Sequence, residues 1–240
     1  MASAQKPSSE NWLRLACMVY DELQPALLNI LHNTHNDGTY KGLSQHGPDL
    51  YKDLDSFRPQ LTTLIKKKIL SRKQFELLLP QCQSTNSSKF DITILVAVIR
   101  NCIKVPAPSS WDFHSLDKKD TSIASYIVRG KEIRNKVCHS QPGDIDDITF
   151  NNYWKEGEIV LRCLRHQCDM NALMSKPLDA RTLSDRVKLD NVQEKVDDLG
   201  EDLLNVKSDV ETIKTGALST TTDIINLKTD FGGMDVIYFH

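Results

Sequence analysis

Residues 133–139 of this 240-residue chain, Ile-Arg-Asn-Lys-Val-Cys-His, concentrate polar side chains on an otherwise amphipathic stretch. An arginine fork can hold a phosphate, and a histidine can exchange a proton near neutral pH. Arg134 and His139, with Asn135 between them, therefore offer parts of a site that cleaves phosphodiesters. Three further cations would attract a polyanion to the same segment: Arg129, Lys131 and Lys136.

The spacing of Arg134 and His139 sets a condition on such a site. Five residues apart, the two side chains would lie about 140° apart around a continuous α-helix. They converge only if the helix unwinds at His139, which Pro142 favours, and the macrodipole of the helix end would then favour a protonated imidazole. In the alternative interpretation, Arg134 and Asn135 only cap the helix end and bridge to acidic neighbours.

The elements that must position this segment are predicted to be helices. A first helix, which Pro25 is expected to kink, has one apolar face with steps of three and four residues: Trp12, Ala16, Val19, Leu23, Leu27 and Ile30. Further helices are expected over about 49–70 with a break near Pro59, 72–79 after Ser71, 92–103 after Asp91, 121–137, and 147–164. The β-branched residues of 92–103 also permit a buried strand, but the length and the cap favour a helix.

The tail carries the most regular pattern in the sequence. Apolar residues repeat every seven positions, and a second set follows each by three: Leu189, Val196, Leu203, Val210, Ala217 and Ile224, then Val192, Leu199, Val206, Ile213, Thr220 and Leu227. This spacing predicts a coiled coil over residues 183–231, and the core residues do not fix its strand number. Because one helix cannot bury such a stripe, the tail should self-associate or pair with another chain.

The composition argues against a membrane-spanning or a secreted protein. No apolar run is long enough to cross a bilayer, and the N-terminus lacks the features of a secretory signal. The six cysteines form no CxxC pair, so we expect a cytoplasmic protein with reduced thiols, no metal and no cofactor. Residues 1–175 carry 22 Lys/Arg against 19 Asp/Glu, whereas 176–240 carry 8 against 13, so a phosphate backbone would meet the front part.

Several segments resemble one known family. Arg134-Asn135-x-x-x-His139 matches the R-x4-6-H motif of HEPN domains, in which a polar residue often follows the arginine. More of the chain is similar to the HEPN domain of the DAZ-interacting zinc-finger ubiquitin ligase type. The matching segments are Asn11-Trp-Leu-Arg-Leu15, Lys89-Phe-Asp-Ile-Thr-Ile-Leu95, Arg100-Asn-Cys102, Trp111, Asp120-Thr-Ser122 and Asn152-Tyr-Trp154.

The resemblance implies an all-α fold with a HEPN-like bundle of about four to five helices. With the heptads, it predicts a helical domain over 10–172, a linker over 173–182, the coiled coil over 183–231 and a tail over 232–240. HEPN domains usually dimerise, so we expect a homo-oligomer formed through a HEPN face and the coiled coil. Close relatives usually have a glycine and then a histidine six residues after the arginine, whereas His139 comes one residue early.

The resemblance also implies a chemistry, because active HEPN proteins are metal-independent endoribonucleases that act on single-stranded RNA. His139 would transfer a proton at the ribose 2′-hydroxyl or the leaving oxygen, Arg134 would stabilise charge on the phosphate, and Asn135 would orient the group. The products would carry a 2′,3′-cyclic phosphate. The alternative function is a non-catalytic oligomeric adaptor, in signalling or innate immunity, that binds protein partners through the bundle and the coiled coil.

Overall fold

A long helical segment opens the computed structural model, which describes residues 7–33, 40–103, 105–141, 143–179, 185, 187, 206 and 209–216. It consists of α1 (Pro7–Cys17), a π-helical turn (Met18–Leu23) and α2 (Gln24–His32). Pro25 has no N–H to donate to the carbonyl four residues earlier. Just before it, the Gln24 N–H bonds the Val19 carbonyl five residues back, so the expected kink takes the form of a widened turn.

Seven further α-helices follow in the described part of the chain: α3 (Gly47–Asp55), α4 (Arg58–Lys66), α5 (Arg72–Leu78), α6 (Ile92–Cys102), α7 (Ile123–His139), α8 (Asp147–Cys163) and α9 (Met170–Ser175). Short 3-10 turns cover Ser87–Lys89 and Phe113–Ser115. The extended pair Thr85–Asn86 bridges to His46 and Gly47 just before and at the start of α3. The predicted all-α class is therefore confirmed.

Local sequence signals set several helix starts, and those after Ser71 and Asp91 were predicted. The Ser71 side chain accepts the Gln74 N–H at 3.1 Å in a capping box. Asp91 accepts the Ile94 N–H at 2.7 Å, and Asp146 accepts the Thr149 N–H at 2.6 Å. Each cap satisfies an N–H that has no partner within its own helix. The residues after Asp91 form a helix, so the strand alternative for this segment was wrong.

The hydrophobic core lies around α6, and α7 packs against α1, α6 and α8. Two glycines bring the π-helical turn close to α7 and α8. A Cβ on Gly130 would lie 2.9 Å from the Cδ1 of Leu23, and one on Gly157 would overlap the Met18 thioether. The missing side chains at these two glycines leave room for Leu23 and Met18 of the π-helical turn, which would have to repack around any added methyl group.

The chain divides into two units, residues 1–194 and 195–240. Val187 belongs to the core of the first unit. In the second unit, residues 209–216 are helical, and Val210 and Ile213 are 54 % and 71 % exposed. Most of the heptads and the 232–240 tail lie outside the described residues, so the coiled coil stays a prediction. No helix in the described ranges is both long and apolar enough to span a membrane.

Candidate functional site

Helix α7 carries all the residues that the sequence analysis selected. It begins after Ser122, whose hydroxyl accepts the Ser125 N–H at 3.2 Å. The buried Ser125 donates its own hydroxyl to the carbonyls of Asp120 and Ser122, at 2.8 and 2.7 Å. These bonds fix the start of the helix against the preceding loop, so the register of every later residue on α7 is set.

The C-terminal end of α7 is held by a residue far away in the sequence. Trp12 on α1 donates its indole N–H to the carbonyls of Val137 and Ser140, at 3.0 and 3.1 Å. These carbonyls belong to the last turn, where a helix has no partners of its own. Asn11 donates to the Ile145 carbonyl at 3.3 Å and to an Asp147 carboxylate oxygen at 2.8 Å, which fixes the connection to α8.

Because its end is bound in this way, α7 stays helical through His139. The unwinding at His139 that would bring this side chain to Arg134 does not occur. Arg134 lies on the core-facing side of α7 with 6 % of its surface exposed, whereas His139 is exposed. The structure thus separates the two residues as a continuous helix must, by about 140°.

Asn135 and His139 do lie together, one turn apart, on the exposed side of α7. Lys131 is one turn before Asn135, and the three residues form what we call the outer face of α7. One guanidinium nitrogen of Arg134 lies 3.5 Å from the Oδ1 of Asn135, within hydrogen-bonding range. Trp12 is bonded to the carbonyls at the end of α7, where the alternative interpretation placed Arg134 and Asn135.

The cations predicted to bind RNA have different surroundings. Arg129, with 14 % of its side chain exposed, donates to the carbonyls of Lys118 and Asp120 at 3.0 and 3.1 Å. It also pairs with Glu156 on α8 at 3.4 Å, so Arg129 joins the loop before α7 to two helices. Lys131 is exposed and lies on the outer face.

Lys136 is partly exposed and faces the start of α8. There the pKa of Asp146 is lowered, mainly by the Thr149 backbone N–H that its carboxylate accepts and also by the charge of Lys136. Lys131 and Lys136 are therefore the cations beside Asn135 and His139 that have a solvent-facing surface.

A groove of about 540 Å³ lies beside α7, between the 113–118 loop and α8. We call it the loop cleft, and its principal lining residues are Phe113, His114, Lys118, Arg129, Asn152 and Tyr153. Burial and the nearby Glu132 raise the pKa of Tyr153, so Glu132 on α7 lies close to this side chain. Glu132 precedes His139 by seven residues, two helical turns, and therefore lies on the same side of α7.

Sequence reasoning missed the loop cleft because the loop that forms one wall has no periodicity. The available signal was the pair Asn152 and Tyr153, which belongs to one of the segments quoted for the family resemblance. Trp12 was predicted only to lie on the apolar face of the first helix, and its bonds to the end of α7 were not foreseen.

A family model described as DZIP3/hRUL138-like HEPN matches residues 48–186, more than half of the chain. The matched range includes α7 with Arg134, Asn135 and His139, and both walls of the loop cleft. No curated protein matches the chain, and no solved structure matches it.

Proposed function

The chain belongs to the DZIP3/hRUL138-like HEPN family, and we propose that it binds single-stranded RNA along the outer face of α7 and cleaves it without a metal ion, as a dimer. The observation that carries this proposal is the position of His139. It is exposed, it ends a helix whose last turn is bonded by Trp12, and it lies one turn from Asn135. A side chain that transfers protons needs this combination of access and fixed position.

The reaction would proceed by internal transfer within the RNA. The ribose 2′-oxygen forms a bond to the adjacent phosphorus, and the bond from phosphorus to the 5′-oxygen of the next nucleotide breaks. The 2′-hydroxyl gives up its proton to a base, and the leaving oxygen receives one from an acid, which yields a 2′,3′-cyclic phosphate. One neutral and one protonated histidine perform these two transfers, and a dimer supplies two copies of His139.

Arg134 acts in this proposal as a positioning residue. Its guanidinium lies in the buried side of α7 and donates toward the Oδ1 of Asn135. With its oxygen engaged in this way, the Asn135 amide has its NH2 group left to donate to a phosphate oxygen. Lys131 and Lys136 add positive charge at the same surface, which favours RNA binding at low salt.

The burial of Arg134 also favours a second candidate function, a non-catalytic oligomeric adaptor. An arginine with 6 % exposure cannot form a fork with a phosphate in this conformation, and Arg129 is engaged by the loop and by Glu156. In the adaptor hypothesis, the polar residues of α7 stabilise the helix. The HEPN bundle and the predicted coiled coil then bind other proteins.

The test is incubation of the purified full chain with end-labelled single-stranded RNA in EDTA. We expect cleavage to cyclic-phosphate ends, abolished by His139→Ala, with RNA binding retained. His46→Ala is the matched control, because His46 is also exposed but precedes α3. Equal cleavage by the wild type and His139→Ala would overturn the assignment of His139. No cleavage and no RNA binding by the wild type would leave the adaptor hypothesis.

A further inference from the structure

The loop cleft is a formed groove rather than a gap between mobile side chains. The Asp120 carboxylate accepts the backbone N–H groups of Ser109 at 2.6 Å and Ser122 at 2.9 Å, so it closes the loop on itself. These two N–H groups hold the pKa of Asp120 far below its usual range. Arg129 then fixes the same loop to α7 through the carbonyls of Lys118 and Asp120.

Phe113 is the conspicuous residue of this cleft. It is 37 % exposed although it belongs to a 3-10 turn that Asp112 caps through the Ser115 N–H at 3.2 Å. An ordered loop thus holds a large apolar ring at the surface beside Tyr153 of the opposite wall. Two aromatic side chains in one groove offer the flat apolar surfaces on which unpaired bases stack.

The polar groups of the cleft fit a nucleotide better than a purely apolar ligand. Asn152 can both donate to and accept from a base edge, and His114 and Lys118 can approach a phosphate. Glu156, which also lines the cleft, is paired with Arg129, and Asp112 and Asp117 bond backbone N–H groups of the loop. Glu132 lies near Tyr153 as a further acidic residue at the edge of the cleft. The volume of about 540 Å³ lies within the range typical of small-ligand sites.

The cleft reaches α7, because Arg129 of this helix lines it together with Tyr153 of α8. Glu132, whose charge acts on Tyr153, lies three residues before Asn135 and seven before His139. Seven residues of helix rise by about 10 Å, and the two positions lie on the same side. One extended RNA strand can therefore contact the loop cleft and His139 at the same time.

We propose that the loop cleft binds one unpaired nucleobase of the RNA strand whose backbone lies along the outer face of α7, with the base stacked on Phe113. The inference rests on the proposed function for its ligand, but it concerns recognition and does not require cleavage. It gives the protein a site that selects single-stranded RNA, because a paired base cannot leave its stack without a cost in free energy.

The first experiment measures binding of a short single-stranded RNA to the full chain and to Phe113→Ala. We expect Phe113→Ala to bind about tenfold more weakly, the effect of one lost base–aromatic stack. Ile69→Ala is the matched control, because Ile69 is 42 % exposed in the turn between α4 and α5, and it should bind like the wild type. Unchanged affinity of Phe113→Ala beside a wild type that binds RNA would overturn the inference alone.

The second experiment locates the base directly. An RNA that carries 4-thiouridine is crosslinked to the full chain by light, and the crosslinked peptide is identified by mass spectrometry. The inference predicts crosslinks to the peptides that contain Phe113 or Tyr153, in the wild type and in His139→Ala alike. Crosslinks only to other regions would overturn it.

The outcomes separate the two proposals. Loss of cleavage in His139→Ala with crosslinks retained at Phe113 supports both. Crosslinks at Phe113 in a wild-type protein that never cleaves RNA support the base site and overturn the nuclease. A wild type that binds no RNA overturns both. An abasic nucleotide scanned along the RNA should weaken wild-type binding at one position and leave binding to Phe113→Ala unchanged there.

Discussion

Two polar residues five positions apart on α7 have opposite surroundings, although the family motif groups them. Arg134 lies among buried residues such as Ile133 and Val137, and His139 lies in solvent. A motif defined by residue types along the chain does not specify which side of a helix each side chain occupies. The helix does, because it buries Arg134 and leaves His139 on the exposed side, where the proposed function needs it.

This difference in burial predicts opposite effects on stability. Arg134→Ala removes a long buried side chain and its hydrogen bonds, so we expect the free energy of unfolding to fall by about 2 kcal/mol. His139→Ala changes an exposed side chain and should alter this free energy by less than about 0.5 kcal/mol. Urea denaturation of both variants at the same pH measures the two values.

A loss of cleavage in Arg134→Ala could come from a loss of folded protein, because Arg134 is buried. If Arg134→Ala is inactive and unstable, only Arg134→Lys or a measurement on the folded fraction can separate positioning from loss of fold. Similar losses of stability for Arg134→Ala and His139→Ala would contradict the described burial of Arg134.

At the scale of elements, the end of α7 depends on α1. Trp12→Phe keeps an aromatic ring in the core but removes the N–H that bonds the carbonyls of Val137 and Ser140. We expect a loss of about 1–2 kcal/mol in the free energy of unfolding. Amide hydrogen exchange should also become faster near residue 140, and cleavage should slow because His139 is less well positioned.

Trp154→Phe is the control for this prediction, since Trp154 is also buried and its ring packs against Phe150 at 5.4 Å between centroids. It should lower stability without a selective increase in exchange at the end of α7. Equal exchange around residue 140 in Trp12→Phe and the wild type would show that the two bonds do not hold the last turn.

The contact between the π-helical turn and α8 gives a second prediction at the scale of elements. A methyl group on Gly157 would overlap the buried Met18 side chain, so Gly157→Ala should cost about 1–3 kcal/mol through overpacking. Met18→Ala makes room at this contact, and the double variant should therefore lose less stability than the sum of the single losses. Thermal unfolding of the four proteins provides the cycle, and additive losses would refute the contact.

How far the sequence predicts this fold depends on the distance over which each signal acts. The caps Ser71, Asp91 and Asp146 act on N–H groups three residues away and were predictable from the local sequence. Trp12 acts on a carbonyl 125 positions away, and no local pattern encodes that bond. In the local sequence, Pro142 favours unwinding of α7 at His139, which would bring His139 to Arg134. The helix does not unwind, and the bond from Trp12 that holds its end could not be predicted locally.

In the candidate site, too, local features were predictable from the sequence and contacts between distant segments were not. Its residue types were evident from the sequence, and the family match confirms the resemblance that selected them. Their orientation was not evident, because burial of Arg134 depends on helices that lie far apart along the chain. The loop cleft combines a loop without periodicity and one face of α8, so its residues share no spacing that could have identified them.

At the scale of the whole molecule, the proposed chemistry needs a base and an acid, whereas each chain has one histidine on the outer face of α7. The predicted coiled coil would raise the effective concentration of a second copy. Within the described residues of the second unit, Val206, Val210 and Ile213 occupy predicted core positions of the heptads and are all exposed. Exposed apolar residues at this spacing support a partner helix.

The double variant Val210→Asp/Ile213→Asp in the full chain tests this dependence. Two charges at core positions should prevent helix pairing, so we expect a lower molar mass by light scattering and slower cleavage at low protein concentration. Raising the protein concentration should restore part of the cleavage rate, because the HEPN units can still meet, whereas RNA binding per chain should change little.

Glu211→Ala, at a neighbouring exposed position outside the predicted core, should leave both mass and rate unchanged. A wild type that is monomeric at every concentration yet cleaves RNA would contradict the need for two copies of His139. The acid or the base would then have to come from another residue of the same chain.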